Sequence, residues 1–165
     1  MNLPRLFRHL AMTRRQVNRA FPRPTLFAIE ESLQASEAMH AGEIRFAVEG
    51  ALDTVPLFSG QSARERAIDV FSQLRVWDTA HNNGVLIYLL LADRDVEIVA
   101  DRGIHAKVGA EEWEKICRRM ETAFSDADYE GGVISGIEAV TRHLIKHFPA
   151  SGADQNELPD TPVVL

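Results

Sequence analysis

Two short polar clusters hold the residue types best suited to chemistry: His81, Asn82 and Asn83 in one, Asp101, Arg102 and His105 in the other. Carboxylate and amide oxygens are hard donors that suit Ca²⁺ or Mg²⁺. Asn82, Asn83 and Asp101 are therefore the candidate ligands of a divalent cation. The planar guanidinium of Arg102 matches phosphate or carboxylate, with His81 as a second substrate contact. Imidazole is the side chain most often used to move a proton, so His105 joins Asp101 and Arg102 as the candidate catalytic set. A cation and an arginine beside one phosphate make a workable arrangement for hydrolysing a phosphate ester. The same residues also suit structure alone. Asn-Asn-Gly is an ordinary turn, because Asn and Gly tolerate positive φ. Asp101 and Arg102 can simply end a strand and pair with each other.

What would bring the two clusters together is a hairpin. Val85 to Leu91 is apolar throughout, as a central strand must be when helices cover both faces. Asp93-Arg94 reverses the chain, and Val96, Ile98 and Ala100 then alternate with Glu97, the pattern of a strand nearer an edge. Earlier, Ile44, Phe46 and Val48 alternate with Glu43, Arg45 and Ala47, which predicts a strand with one face in the core. Between these strands Ser62-Ala63-Arg64-Glu65 matches a capping box and opens a helix burying Ala63, Ala67, Val70, Phe71 and Leu74. A strand–helix–strand crossover makes the first two strands parallel. Their starting ends then share one rim, where His40, Gly42 and Glu43 join the hairpin's polar clusters.

Thr25 is placed to cap a helix carrying Leu26, Ile29, Leu33 and Met39, ended by Gly42, and Asp53 to Gly60 reads as a loop. Two further helices carry Trp113, Ile116, Met120 and Phe124, then Val133, Ile137, Val140, Leu144 and Phe148. The expected fold is α/β, a layered sandwich with a small mixed β-sheet covered by helices. Residues 1–22 form a basic amphipathic helix, 23–149 the α/β domain, and 150–165, rich in Ser, Gly, Asp, Asn and Pro, a flexible tail.

At 165 residues and 45% hydrophobic content, one domain with a substantial core is expected. Residues 1–29 carry six arginines and no acid, while the whole chain is −6, so the remainder carries −12. Such an acidic surface repels phosphate backbones, which excludes nucleic acid as a partner. A single cysteine, Cys117, permits no internal disulfide and falls on the apolar side of its helix. No apolar run reaches the ~20 residues of a membrane span. Arg8 and His9 interrupt the apolar residues a secretory signal needs, so a cytoplasmic protein is expected. Residues 1–21 suit either packing on their own domain or peripheral contact with the inner face of a membrane.

At these residues the chain resembles the TPM domain family, known from bacterial proteins and from a thylakoid lumen protein linked to photosystem II repair. The resemblance rests on Trp77, Asn82-Asn83-Gly84-Val85-Leu86, the Asp93-Arg94 turn, Gly103-Ile104, and Tyr129 with Gly132 and Gly136. It covers approximately residues 25 to 148. It implies a layered α/β domain, divalent-cation binding in some members and a reported acid-phosphatase activity. After the third strand the family usually has Gly-aromatic-Gly-Leu-Glu, where this chain has Asp101-Arg102-Gly103-Ile104-His105. The family's carboxylate has become His105, and a new carboxylate and guanidinium stand at Asp101 and Arg102. Two functions follow: a metal-assisted phosphatase-like hydrolase, or a noncatalytic domain docking on membrane-protein complexes or a membrane surface.

Overall fold

Seven residues from Gly84 to Leu90 form a strand whose every side chain is buried, and the rest of the molecule is arranged around it. The computed structural model describes residues 3–152 and 155–165. Residues 1–2 of the expected N-terminal helix and 153–154 of the expected tail lie outside the described residues.

In chain order the elements are α1 (Leu3–Ala11), α2 (Arg14–Ala20), α3 (Arg23–Glu37), β1 (Glu43–Glu49), α4 (Thr54–Phe58) and α5 (Ala63–Gln73). They continue with β2 (Gly84–Leu90), β3 (Asp95–Ala100), α6 (Arg102–Val108), α7 (Ala110–Ser125), α8 (Tyr129–His147) and β4 (Val163–Val164). The strands make one mixed sheet ordered β3-β2-β1-β4, in which β1 is parallel to β2 and to β4 while β3 is antiparallel to β2. The layered α/β expectation holds. On one face Ile44, Phe46, Val85 and Ile87 pack with Ile29, Leu33, Ile116, Met120, Ile137 and Val140 of α3, α7 and α8. On the other, Leu86, Tyr88 and Leu90 pack with Ala63, Ala67 and Val70 of α5. Helices on both faces explain why β2 needs apolar residues in both registers.

Local rules account for much of this. The Ser62–Glu65 capping box forms in full. The hairpin turns through Arg94 in the left-handed region, φ 56°. On the open edge of β3, the Val96 N–H donates to Glu121 Oε1 and Arg64 Nη1 donates to the Ile98 carbonyl, so side chains occupy backbone groups that would otherwise invite another strand.

Several elements differ from expectation. The N-terminal segment is two helices, because Thr13 caps α2 with its own capping box, Gln16 supplying the reciprocal bond. Thr25 caps nothing: α3 begins at Arg23 with Pro24 in its first turn, and the Thr25 hydroxyl donates to Glu130. That helix ends at Glu37, before Gly42. The loop before α5 holds the short helix α4. β1 is buried on both faces, since Glu43, Arg45 and Glu49 are covered by α5 and the C-terminal segment. That segment, read as a flexible tail, buries Leu158 and pairs Val163 and Val164 with β1. Among the described residues no helix is long and apolar enough to cross a membrane.

Candidate functional site

The amino ends of β1 and β2 and the carboxyl end of β3 meet at one rim, as Glu43↔Gly84 and Val85↔Ala100 are register partners. Two glycines let the backbone close up there. At Gly84 a side chain would collide with the Val76 carbonyl, and at Gly103 a Cβ would lie 2.5 Å from the Asn82 carbonyl oxygen. Gly103 thereby brings the first turn of α6 onto the 81–83 loop, where the Ile104 N–H donates to the Asn82 carbonyl at 3.2 Å.

Asn83 is fully buried and ties the two parallel strands together. Its backbone N–H donates to Thr79 Oγ1 at 3.2 Å, and its side-chain Nδ2 donates to the Ala41 carbonyl at 2.9 Å. Its side-chain Oδ1 is buried with no donor. Asp101 caps α6, its Oδ1 accepting the Arg102 N–H at 2.7 Å, while its backbone N–H donates to the Gly84 carbonyl at 2.9 Å. The second carboxylate oxygen, Oδ2, is likewise buried without a donor. Two buried oxygens thus stand unsatisfied on either side of Gly84, and each such acceptor costs about 1–3 kcal/mol of desolvation. An amide oxygen and a carboxylate oxygen are both of the hard-donor type that suits a divalent cation.

The remaining candidates are placed as follows. Asn82 has φ 52°, so the turn uses it as a left-handed residue, and its backbone carbonyl is taken by Ile104. His81 is exposed beside it, and Arg102 is exposed at the start of α6. His105, one turn further on, lines a different opening, a groove of about 520 Å³ along β3 and α7 with Arg64 and Trp113. The rim therefore gathers Asn82, Asn83, Asp101 and Arg102, with His81 at its margin, and leaves His105 facing the groove.

His40, expected at the rim, is buried with both ring nitrogens engaged. Nδ1 accepts the Gly42 N–H at 3.2 Å and Nε2 meets Ser36 Oγ at 2.8 Å. Ser36 leads on to Thr141, whose hydroxyl donates to the Ile137 carbonyl. Burial lowers the His40 pKa and keeps the ring neutral, so it positions the approach to β1 and ligates nothing.

Glu43 also turns away from the rim, into a second polar cluster that sequence reasoning missed. Glu43 Oε1 accepts the Glu157 N–H at 2.9 Å, and Glu37 Oε2 accepts from Asn156 Nδ2 at 2.7 Å. Burial, with Asp160 and Glu43 nearby, pushes the Glu37 carboxyl up to about 9, and burial raises Glu43 as well. Buried Arg45 lies within the field of Asp160, Glu37 and Glu43, with its Nε and Nη1 buried and without acceptors. The available signal was a charge at alternate positions of β1. Cys117 is no nucleophile: burial pushes its thiol up to about 12. Among the described residues no group of three or more His, Cys, Asp or Glu side chains is arranged to hold a metal ion, so a cation at the rim would rest on mixed amide and carboxylate oxygens.

The TPM domain family model matches residues 19–143. The chain is similar in structure to the BA42 protein of the psychrophilic bacterium Bizionia argentinensis, with TM-score 0.75 and 30% identity over 86% of this chain and 93% of that one. It also shares a fold with the N-terminal domain of a P. gingivalis protein, at TM-score 0.56 and 23% identity over 70% of this chain and 71% of that one. A search of curated proteins finds no match.

Proposed function

The chain belongs to the TPM domain family, and from that premise we propose that it binds a divalent cation, Ca²⁺ or Mg²⁺, at the Asn82–Asn83–Asp101 rim and acts as a phosphatase-like hydrolase on a phosphate ester. The observation that carries this reading is the pair of buried, donor-less oxygens, Asn83 Oδ1 and Asp101 Oδ2. A bound cation supplies Lewis-acid polarisation of a phosphoryl oxygen. Asn83 and Asp101 hold their oxygens in place through backbone bonds on both flanking strands. Arg102, exposed beside Asp101, grips the phosphate, and His81 makes a second contact at the loop margin. His105, expected as the proton-moving group, faces the groove along β3 and α7, so no step at the rim is assigned to it. A cytoplasmic setting is part of the same proposal, supported by the single unpaired cysteine.

Thermal melting with each cation, paired with hydrolysis of p-nitrophenyl phosphate, tests the reading. A saturable rise in midpoint with Ca²⁺ or Mg²⁺, abolished in Asp101→Asn, is expected. Hydrolysis should fall about a hundredfold in Arg102→Ala, as removal of a charge-stabilising group does. No midpoint shift with either cation and no hydrolysis would sink it. A shift without hydrolysis would leave a noncatalytic cation-binding domain.

A further inference from the structure

We propose that α1 and α4 form a platform that docks this protein on an anionic bilayer surface, the carboxyl end of β2 toward the lipid and the Asn83–Asp101 rim away from it. This inference does not rest on the cation reading. Polar anchors hold α1 to the domain. Arg5 Nε donates to Asp93 at 2.9 Å and Arg5 Nη2 to the Gln61 carbonyl at 2.7 Å. His9 Nε2 meets Asp93 at 3.0 Å, and His9 Nδ1 accepts the Leu52 N–H at 3.0 Å. Leu52 and Gln61 flank α4, and Leu6 packs against the cluster that holds Leu57, so α1 is fastened to the chain around α4.

Both helices expose large apolar side chains, alongside Arg8 on α1 and Asp53 and Thr54 at the start of α4. Leu3, Phe7 and Leu10, spaced to share one helical stripe, are 56%, 70% and 63% exposed. On α4, Leu57 points inward while Val55 and Phe58 are 79% and 55% exposed. Single exposed apolar residues need no explanation, but five on two neighbouring helices mark an interaction surface.

Charge decides the occupant. The first 29 residues hold six arginines and no acid, in a chain of net charge −6. Arg14 and Arg15 are exposed on α2 with no carboxylate partner among the described residues, and Arg8 is half exposed. A second copy would set this basic rim against itself, whereas anionic headgroups attract it. A nine-residue helix is too short to span and lies in the interface. The anchor at Asp93 follows β2 and Asn83 precedes it, so a strand at ~3.3 Å per residue separates platform from rim by roughly 23 Å.

Flotation of the full chain with phosphatidylcholine vesicles, with and without one part in four of phosphatidylglycerol, tests this, alongside sedimentation velocity. The wild type should float only with the anionic vesicles and should release in high salt. Both Phe7→Ser/Leu10→Ser and Val55→Ser/Phe58→Ser should weaken flotation by about tenfold or more without lowering the melting midpoint, because these side chains are exposed. Absence of flotation, or flotation unaffected by either double substitution, overturns the platform. A dimer in solution that the same substitutions dissolve assigns the face to a second copy and also overturns it.

Discussion

The two ends of the sheet treat buried polar groups in opposite ways. At the carboxyl end the buried carboxylates are answered: Tyr88 Oη donates to Glu49 at 2.6 Å, and Arg66 grips both oxygens of Glu49 at 2.8 and 3.0 Å. Asp93 is held there by Arg5, Arg8 and His9. At the amino end, Asn83 Oδ1 and Asp101 Oδ2 are buried and left without donors. The carboxylates of the carboxyl end are paired within the protein, whereas the proposed cation would be what answers the rim's oxygens. The rim's two oxygens belong to an amide and a cap whose other polar atoms are already committed.

If the carboxyl end is purely structural, breaking it should cost stability and leave the rim's ligand binding alone. Arg66→Ala strands the buried Glu49 carboxylate, and a loss of about 3 kcal/mol is expected from denaturant unfolding, with the cation response retained. The rim should behave in the reverse sense. Asp101→Asn keeps the cap oxygen and removes the charge of a half-buried carboxylate, so it should change the cation-free stability by less than about 1 kcal/mol. It should abolish the roughly 2.7 kcal/mol that a cation at a hundred times its Kd adds to the wild type.

Acid separates the two ends further. Burial pushes the Asp93 carboxyl up, but bonds from Arg5 and His9 outweigh it and leave the pKa below its ordinary value. A depressed carboxylate stabilises the fold above its unfolded value near 4 and loses that contribution as pH falls further. Amide exchange in α1 should therefore accelerate below about pH 4, and Asp93→Asn should remove that step. The smallest effect belongs to the C-terminal strap. Glu37 keeps its proton up to about 9 in the fold and loses it at ordinary carboxylate pH when unfolded. The folded state then binds the extra proton, so stability falls as pH rises from about 4.5 to 9. Glu37→Gln should raise the melting midpoint at pH 8 by roughly 2–4 °C and leave it unchanged at pH 4.

These contrasts also show what a sequence can carry. The hairpin from Gly84 to Ala100, the Ser62 cap and the stripes of α7 and α8 were legible because each depends on neighbours within one or two turns. β1 misled, since Glu43, Arg45 and Glu49 look solvated in an alternating strand and are buried by partners far away, at Glu157 and Arg66. β4 has two residues and no periodicity to read, and α6 hid behind the Gly103 that its contact with Asn82 requires. Asn83, Asp101 and Arg102 stood out by type. The bond from Asn83 to Ala41, 42 residues away, did not, and neither did the exile of His105 to the groove.

A cation bound at the rim is what the proposed function requires. Titration of ¹⁵N-labelled protein with Ca²⁺ and then Mg²⁺, followed by amide chemical shifts, tests it residue by residue. Saturable shifts are expected, centred on the Asn83 side-chain amide and the backbone of Asn82–Gly84 and Asp101–Ile104. Shifts confined to the acidic groove at Asp95, Glu97 and Glu121, or none that saturate, would contradict it.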